Sequence, residues 1–206
     1  MLNHISSIHT IKEYIPKKAV SKTERLLAGN NVRLTIAGER STKLGDYRKL
    51  SKEGIHAISV NENLNKYSFL LTLIHELAHL KVRENFGCRV KPHGLEWKNE
   101  FKLLICWFLE NEIFPQDLMI EIRRYMINPK ASSNSDIKLA LALKKYDKAQ
   151  IGELILDEIP ENTVFHIKGG RRFTKGGKVK KRIKCTDLNN GKIYLFSPIA
   201  TVHLDS

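Results

Sequence analysis

The chain has 206 residues, 42% hydrophobic and 28% charged, which suits a soluble globular protein of one mid-sized domain, or a domain plus a small appendage. Its 35 lysines and arginines against 22 aspartates and glutamates leave a formal charge of +13, pointing to a polyanionic partner, most often nucleic acid. Cys88, Cys106 and Cys185 form no CxxC pair, which argues against a disulfide framework or a cysteine-built zinc site and suits a reducing cytoplasm.

The amino-terminal stretch "MLNHISSIHTIKEY" lacks the basic-then-apolar layout of a signal peptide. Residues 11–27 read as a helix broken or shifted at Pro16. "VRLTIAG", 32–38, alternates like a strand. "ERSTKLGDYRKLSKEG" follows, with Gly45 and Gly54 as turn signals, and reads as a hairpin region; "IHAISVN", 55–61, alternates again as a strand. "NENLN", 61–65, supplies asparagine caps for a long helix over 66–85, closed by Gly87. The apolar run around Phe69–Ile74 ends at His75, far short of the roughly 20 residues of a membrane span.

The loop "CRVKPHG" leads to a helix over 96–111, and Pro115 restarts the chain into another over 116–127. "NPKASSNSD", 128–136, is either a linker or the cap of the next helix, 137–146. After about Ala149 the composition changes. Glycine pairs at 169–170 and 176–177, an Asn-Asn-Gly turn at 189–191 and the alternation in "KIYLF" and "TVHL" predict a small antiparallel β module. The expected class is α+β, with residues 1–149 forming a mainly helical domain that has a small sheet before the long helix, and 150–206 the β module.

The long helix carries "LIHELAHL", 73–80. Residues four apart on a helix share one face, about 6 Å apart at Cβ, so His75 and His79 can reach one zinc ion at about 2.0–2.1 Å. Glu76 sits about 100° further round, unsuited to ligate but able to take a proton from water activated by the metal. That is the chemistry of the HExxH pattern. The bland alternative is a pair of partly buried polar residues on an amphipathic helix. Against it, Phe69, Leu70, Leu73, Ile74, Leu77 and Leu80 give the helix a broad apolar surface. Buried imidazoles on such a helix need a partner, and a metal is one.

A catalytic zinc takes three protein ligands and keeps one position open. "KPHGLEW", 91–97, offers His93 as the third, between Pro92, which stiffens the approach, and Gly94, which frees the backbone after it. Glu96 and Glu100 are rivals, although Glu96 also suits the first turn of a helix. Trp97 reads as core.

Positive charge is concentrated. From Asn162 through Thr186 there is no acidic residue, while Lys168, Arg171, Arg172, Lys175, Lys178, Lys180, Lys181, Arg182 and Lys184 all fall there. Such cations suit sequence-independent, salt-sensitive phosphate contact, with alternation dividing them between two faces. Phe173, Tyr194 and Phe196 either stack on unpaired bases or pack the β core. Arg40, Lys43 and Arg48, with Lys49, make a second basic cluster before the long helix. His4, His9, His56, His166 and His203 have no ligand spacing.

"HELAHLKVRENFGCRVKPHGLEW" resembles the signature of the SprT-like proteins, the group that includes the Spartan proteases: HExxH, a variable loop, then His-Gly-x-Glu-aromatic. "RSTKLGDYR" (40–48) and "ISVNENLN" (58–65) extend the resemblance upstream, so that it covers roughly residues 32–110. It implies a zincin-like metalloprotease fold holding one zinc ion, with His75, His79 and His93 as ligands and Glu76 as catalytic base. It also implies cleavage of proteins bound on or crosslinked to DNA, with DNA as activator. One departure stands out: many members carry a four-cysteine zinc ribbon at the carboxy terminus, and here that region has only Cys185. The rival reading is a nucleic-acid-binding protein whose zinc is structural or vestigial, closed by a fourth protein ligand such as Glu96 or Cys88.

Overall fold

The structure, a computed structural model, describes residues 8–40, 42–50, 54–132, 135–148 and 152–204. The class is α+β: five α-helices and two sheets, one of three strands and one of six, among the described residues. Two compact units divide the chain, Met1–Asp147 and Lys148–Ser206. No helix among the described residues is long and apolar enough to cross a membrane.

The first unit opens with two 3₁₀ turns, Ile8–Glu13 and Lys17–Ala19, before α1 (Val20–Gly29). Pro16 lies between the turns and keeps them from merging into one helix. Strand β1 (Val32–Ala37) pairs in parallel with β3 (His56–Asn61), and β2 (Gly45–Lys49) pairs antiparallel on the other side of β3. The expected hairpin is therefore β2–β3, with β3 central and β2 at the edge.

Helix α2 (Lys66–Phe86) begins where the Asn65 side chain accepts the N–H groups of Tyr67 and Ser68, both at 3.0 Å. It ends at Gly87, whose φ of +74° suits a residue without a side chain. Buried residues occupy most of its circumference, among them Phe69, Leu70, Leu73, Ile74, Leu77, Ala78 and Leu80, as expected of a helix enclosed by its neighbours. They pack with Ile58 and Val60 of β3 and with Trp97, Phe101, Ile105 and Phe108 of α3 (Leu95–Glu110). Burying each such large apolar side chain contributes roughly 1.5–3 kcal/mol. Helices α4 (Gln116–Met126) and α5 (Ile137–Lys144) complete the core through Leu118, Ile122, Leu139 and Leu143. Asp136 caps α5 by accepting the Leu139 N–H at 3.2 Å, so the end of the polar 128–136 stretch is a helix cap.

The second unit is one antiparallel sheet in the order β4-β9-β5-β6-β7-β8. Its strands are β4 (Glu153–Ile155), β5 (Val164–His166), β6 (Arg172–Val179), β7 (Arg182–Asp187), β8 (Ile193–Phe196) and β9 (Thr201–Leu204). Leu156, Ile159, Phe165, Phe173, Ile183, Cys185 and Val202 form its core. A bulge between Lys175 and Lys178 falls on the Gly176–Gly177 pair. A Cβ on Gly176 would lie 3.1 Å from the Lys184 carbonyl oxygen, so glycine permits the close pairing there.

Candidate metal centre

His75 and His79 need only helix geometry to share a face of α2. His93 arrives from the connection between α2 and α3, with φ at +120°, a conformation that costs a residue with a side chain roughly 1–3 kcal/mol. The glycine expected to relax this backbone, Gly94, has an ordinary φ of −70°. Its absent side chain serves space instead. A Cβ there would lie 2.9 Å from Glu96 Oε2 and 3.1 Å from the Lys91 carbonyl oxygen, while the Gly94 N–H closes the turn onto that oxygen at 2.9 Å.

The three Nε2 atoms converge: 3.2 Å between His75 and His79, 3.1 Å between His75 and His93, and 3.0 Å between His79 and His93. Protons do not account for this triangle. Each Nε2 offers one in-plane hydrogen or one lone pair, so at most one of the three contacts is a well-aligned hydrogen bond. The remaining contacts set lone pairs against each other, and a cation at the centre removes that repulsion. A tetrahedral ion with nitrogen ligands at about 2.0–2.1 Å holds them about 3.3–3.4 Å apart, close to the observed spacing. These residues are the only gathering of three or more potential ligands among the described residues. The rivals lie elsewhere: Glu100 accepts the Asn85 side-chain amide at 2.8 Å, Glu96 sits in the first turn of α3, and Cys88 is exposed.

Burial, reinforced by the neighbouring imidazoles, pushes His75 down to about 3 and His79 down to about 4, and burial lowers His93 as well. All three are thus neutral at neutral pH, the state a metal requires of them. Trp97 organises them. It is fully buried, stacks on Phe101 at 5.0 Å and 10°, and its ring centroid lies 4.6, 5.6 and 4.8 Å from those of His75, His79 and His93. Its indole N–H reaches toward the His75 carbonyl at 3.4 Å. Trp97 is core, as its sequence context suggests, and it is also the platform against which the imidazoles rest.

Glu76 is only 7% exposed. In the metal-free protein, burial first and nearby Asp46 second push its carboxyl up to about 8, with Arg40 and Lys43 opposing. A bound cation would draw it back down. Strand β2 lies directly against this side chain, since a Cβ on Gly45 would be 2.7 Å from Glu76 Oε1 and 2.7 Å from Thr72 Cγ2. Gly45 therefore permits close approach of strand to helix, where the sequence suggested a turn. An isolated glycine inside a strand pattern is the signal that points to it. His56, which has no ligand spacing, is buried and braces the same wall. Its Nδ1 is 2.9 Å from the Tyr47 hydroxyl, and its Nε2 lies 3.5 Å from Glu84 on α2.

The histidines and Glu76 face a cavity of about 500 Å³, walled by residues 42–47, Leu71 and Thr72 of α2, Pro92, Phe101, Tyr125, Ala131 and Ser132. The last two come from the 128–136 stretch, which thus lines the cavity before it caps α5. The Tyr125 hydroxyl pins it by donating to the Lys130 carbonyl at 2.6 Å and accepting the Lys130 N–H at 3.1 Å.

The basic residues divide by fate. Arg40 donates to Asn61 Oδ1 at 2.7 Å and Ser59 Oγ at 3.0 Å, while Lys43 and Arg48 share Asp46 at 3.0 and 2.7 Å. This expected phosphate-binding cluster is therefore largely engaged by its own neighbours. In the second unit Lys175 is buried and donates to the carbonyls of Asp157 and Ile159. Arg171 pairs with buried Asp187 and lies over the rings of Phe173 and Tyr194. Lys178 lies 3.7 Å from Asp157. Lys168, Arg172, Lys180, Lys181, Arg182 and Lys184 are exposed. Phe173 is buried, and Tyr194 and Phe196 pack on the same core, so these rings serve the fold. No family model, curated protein or solved structure matches the chain.

Proposed function

We propose that this chain is a zinc metallopeptidase of the SprT-like kind, hydrolysing peptide bonds in proteins bound on or crosslinked to DNA. The observation that carries the reading is the convergence of three neutral Nε2 atoms within 3.2 Å of one another on an open cavity. His75, His79 and His93 would hold the ion, and no fourth side chain closes the cluster among the described residues. Zinc so held supplies Lewis acidity, making water nucleophilic near neutral pH and polarising a carbonyl.

The protein's own groups do the rest. Glu76, one residue from His75 and on the same cavity, accepts a proton from the attacking water and passes it to the leaving nitrogen. Trp97 keeps the imidazoles in register, and β2, pressed on Glu76 at Gly45, fixes that carboxylate and forms one wall. DNA enters through charge: the exposed cations of β6 and β7 fall in a segment with no acidic residue and suit phosphate contact of low sequence dependence.

The test is cleavage of a basic DNA-binding protein, with and without single-stranded DNA and with and without a zinc chelator. Cleavage that the chelator stops and DNA accelerates is expected. Cleavage indifferent to DNA would keep the peptidase and remove the DNA link. Bound zinc and bound DNA without cleavage would favour the binding-protein reading.

A further inference from the structure

We propose that Lys43 is a further catalytic residue of this site, the ammonium group that stabilises the oxyanion formed as water adds to the scissile carbonyl. This rests on the peptidase reading. The balance of the step is simple. The water oxygen bonds to the carbonyl carbon, one water proton passes to Glu76, and the carbonyl π pair becomes the oxyanion. On collapse the carbon–nitrogen bond breaks, the Glu76 proton goes to the departing nitrogen, and a carboxylic acid and an amine result. Lys43 lends a charge-assisted hydrogen bond and keeps its own proton.

Three observations place Lys43 there. It is the only lysine or arginine among the described residues that line the cavity, which it shares with Glu76, His75, His79 and His93. Its backbone is fixed, because buried Asn61 donates its side-chain amide to the Lys43 carbonyl at 3.0 Å and to the Arg40 carbonyl at 3.1 Å. Gly45, two residues on, lies against Glu76, which anchors the whole 43–45 segment at the carboxylate. Its ammonium is also steadied, with Nζ 3.0 Å from Asp46 Oδ1. Burial works against the Asp46 charge, but hydrogen bonds from Lys43 and Arg48 outweigh it and hold that carboxyl below its ordinary range. An ammonium carries three donors; Asp46 takes one, and among the described residues no other side chain pairs with Lys43 Nζ, which leaves two for a ligand.

A surface ion pair three residues apart would need no cavity and would do little. Position separates the two cases. A fixed donor on the cavity wall acts where charge develops, and removing one such donor typically lowers turnover by about 10²–10³-fold. Asp46 is then a positioning residue, since it touches Lys43 and not the reacting atoms.

The experiment compares zinc-loaded wild type with Lys43→Met, Lys43→Arg and Asp46→Asn. Two ligands are titrated: a phosphinic peptide, whose anionic tetrahedral group mimics the oxyanion, and the same peptide with an uncharged methylene there. Zinc content and turnover are measured on the same samples. Lys43→Met is expected to weaken the phosphinic peptide about a hundredfold and to lower kcat about as much. KM, zinc content and affinity for the uncharged peptide should stay within about threefold. Lys43→Arg should recover most of the loss, and Asp46→Asn should fall between. Equal weakening of both ligands, or a Lys43→Met protein that keeps wild-type kcat and phosphinic affinity, would overturn the assignment. Wild-type protein that holds zinc but binds neither ligand would refute the peptidase reading itself, and Lys43 with it.

Discussion

The two units bury polar groups to opposite ends. In the second, the buried Lys175 ammonium meets the carbonyls of Asp157 and Ile159, and the buried Asp187 carboxylate meets Arg171. Each group finds a partner within the protein, and the result is fold. In the first, among the described residues, three imidazole nitrogens meet one another, an arrangement that a bound cation would satisfy. Buried polar groups with protein partners hold a structure together, whereas a convergent set that lacks them marks where a ligand belongs.

The largest effect should come from removing one member of the unsatisfied set. His79→Ala is expected to abolish cleavage, by at least about 10³-fold, and to reduce zinc to well below one ion per chain, read by elemental analysis after gel filtration. Lys175→Ala, by contrast, should leave zinc content and peptidase activity against a short peptide unchanged. Loss of zinc in that variant would break the comparison.

Removing the platform should weaken both fold and site. Trp97→Ala leaves a large void beneath all three imidazoles and should cost about 3–5 kcal/mol of stability, measured by urea unfolding. Its zinc affinity should fall as well, and titration against a competing chelator checks that. If stability falls while zinc affinity holds, Trp97 is core alone.

Proton linkage sharpens the same contrast. In the metal-free protein the folded His75 and His79 titrate near 3 and 4, against 6.5 in the unfolded chain. Below pH 6.5 these two histidines bind more protons in the unfolded chain than in the folded one, so their contribution to stability is intact above that pH and is lost as pH falls toward 3. The Glu76 carboxyl, raised to about 8 in the fold, acts in the opposite sense between pH 8 and 4.5. At pH 5 the loss should be roughly 2 kcal/mol for each of the two histidines. In a metal-free Glu76→Gln protein, where that opposing titration is absent, a urea midpoint flat from pH 7 to 5 would show that these imidazoles are not held neutral by burial.

In the second unit the buried and the exposed cations should separate by a smaller margin. Lys175→Ala should lower stability by about 1–3 kcal/mol through two unsatisfied carbonyls, whereas Lys181→Ala should stay within about 0.5 kcal/mol. For single-stranded DNA binding the order should invert. Replacing Lys181 and Lys184 together is expected to flatten the slope of log K against log salt, and replacing Lys175 should not.

Much of the candidate site was legible because it is local. The i, i+4 histidines, the Asn65 cap and the Gly87 stop of α2 all follow from helix periodicity and end chemistry. His93 was within reach because a short loop joins two helices. Long-range packing hid the rest. That Gly45 serves the approach of β2 to Glu76 depends on β3 pairing with both β1 and β2. That Arg40, Lys43 and Arg48 are engaged by Asn61, Ser59 and Asp46 depends on the folded loop. Lys43 lies near the other basic residues in sequence, yet only the tertiary structure sets it in the cavity. Alternation likewise separated inward from outward positions in β7, but it did not show that Lys175 faces two carbonyls across the unit.

The most direct test of the central claim is turnover by Glu76→Gln at one bound zinc per chain. The account predicts unchanged zinc stoichiometry and fold, with peptide hydrolysis reduced at least about 10³-fold, because the zinc ligands are intact and the base is gone. Hydrolysis near the wild-type rate in that variant would contradict the assignment of Glu76 and the mechanism built on it.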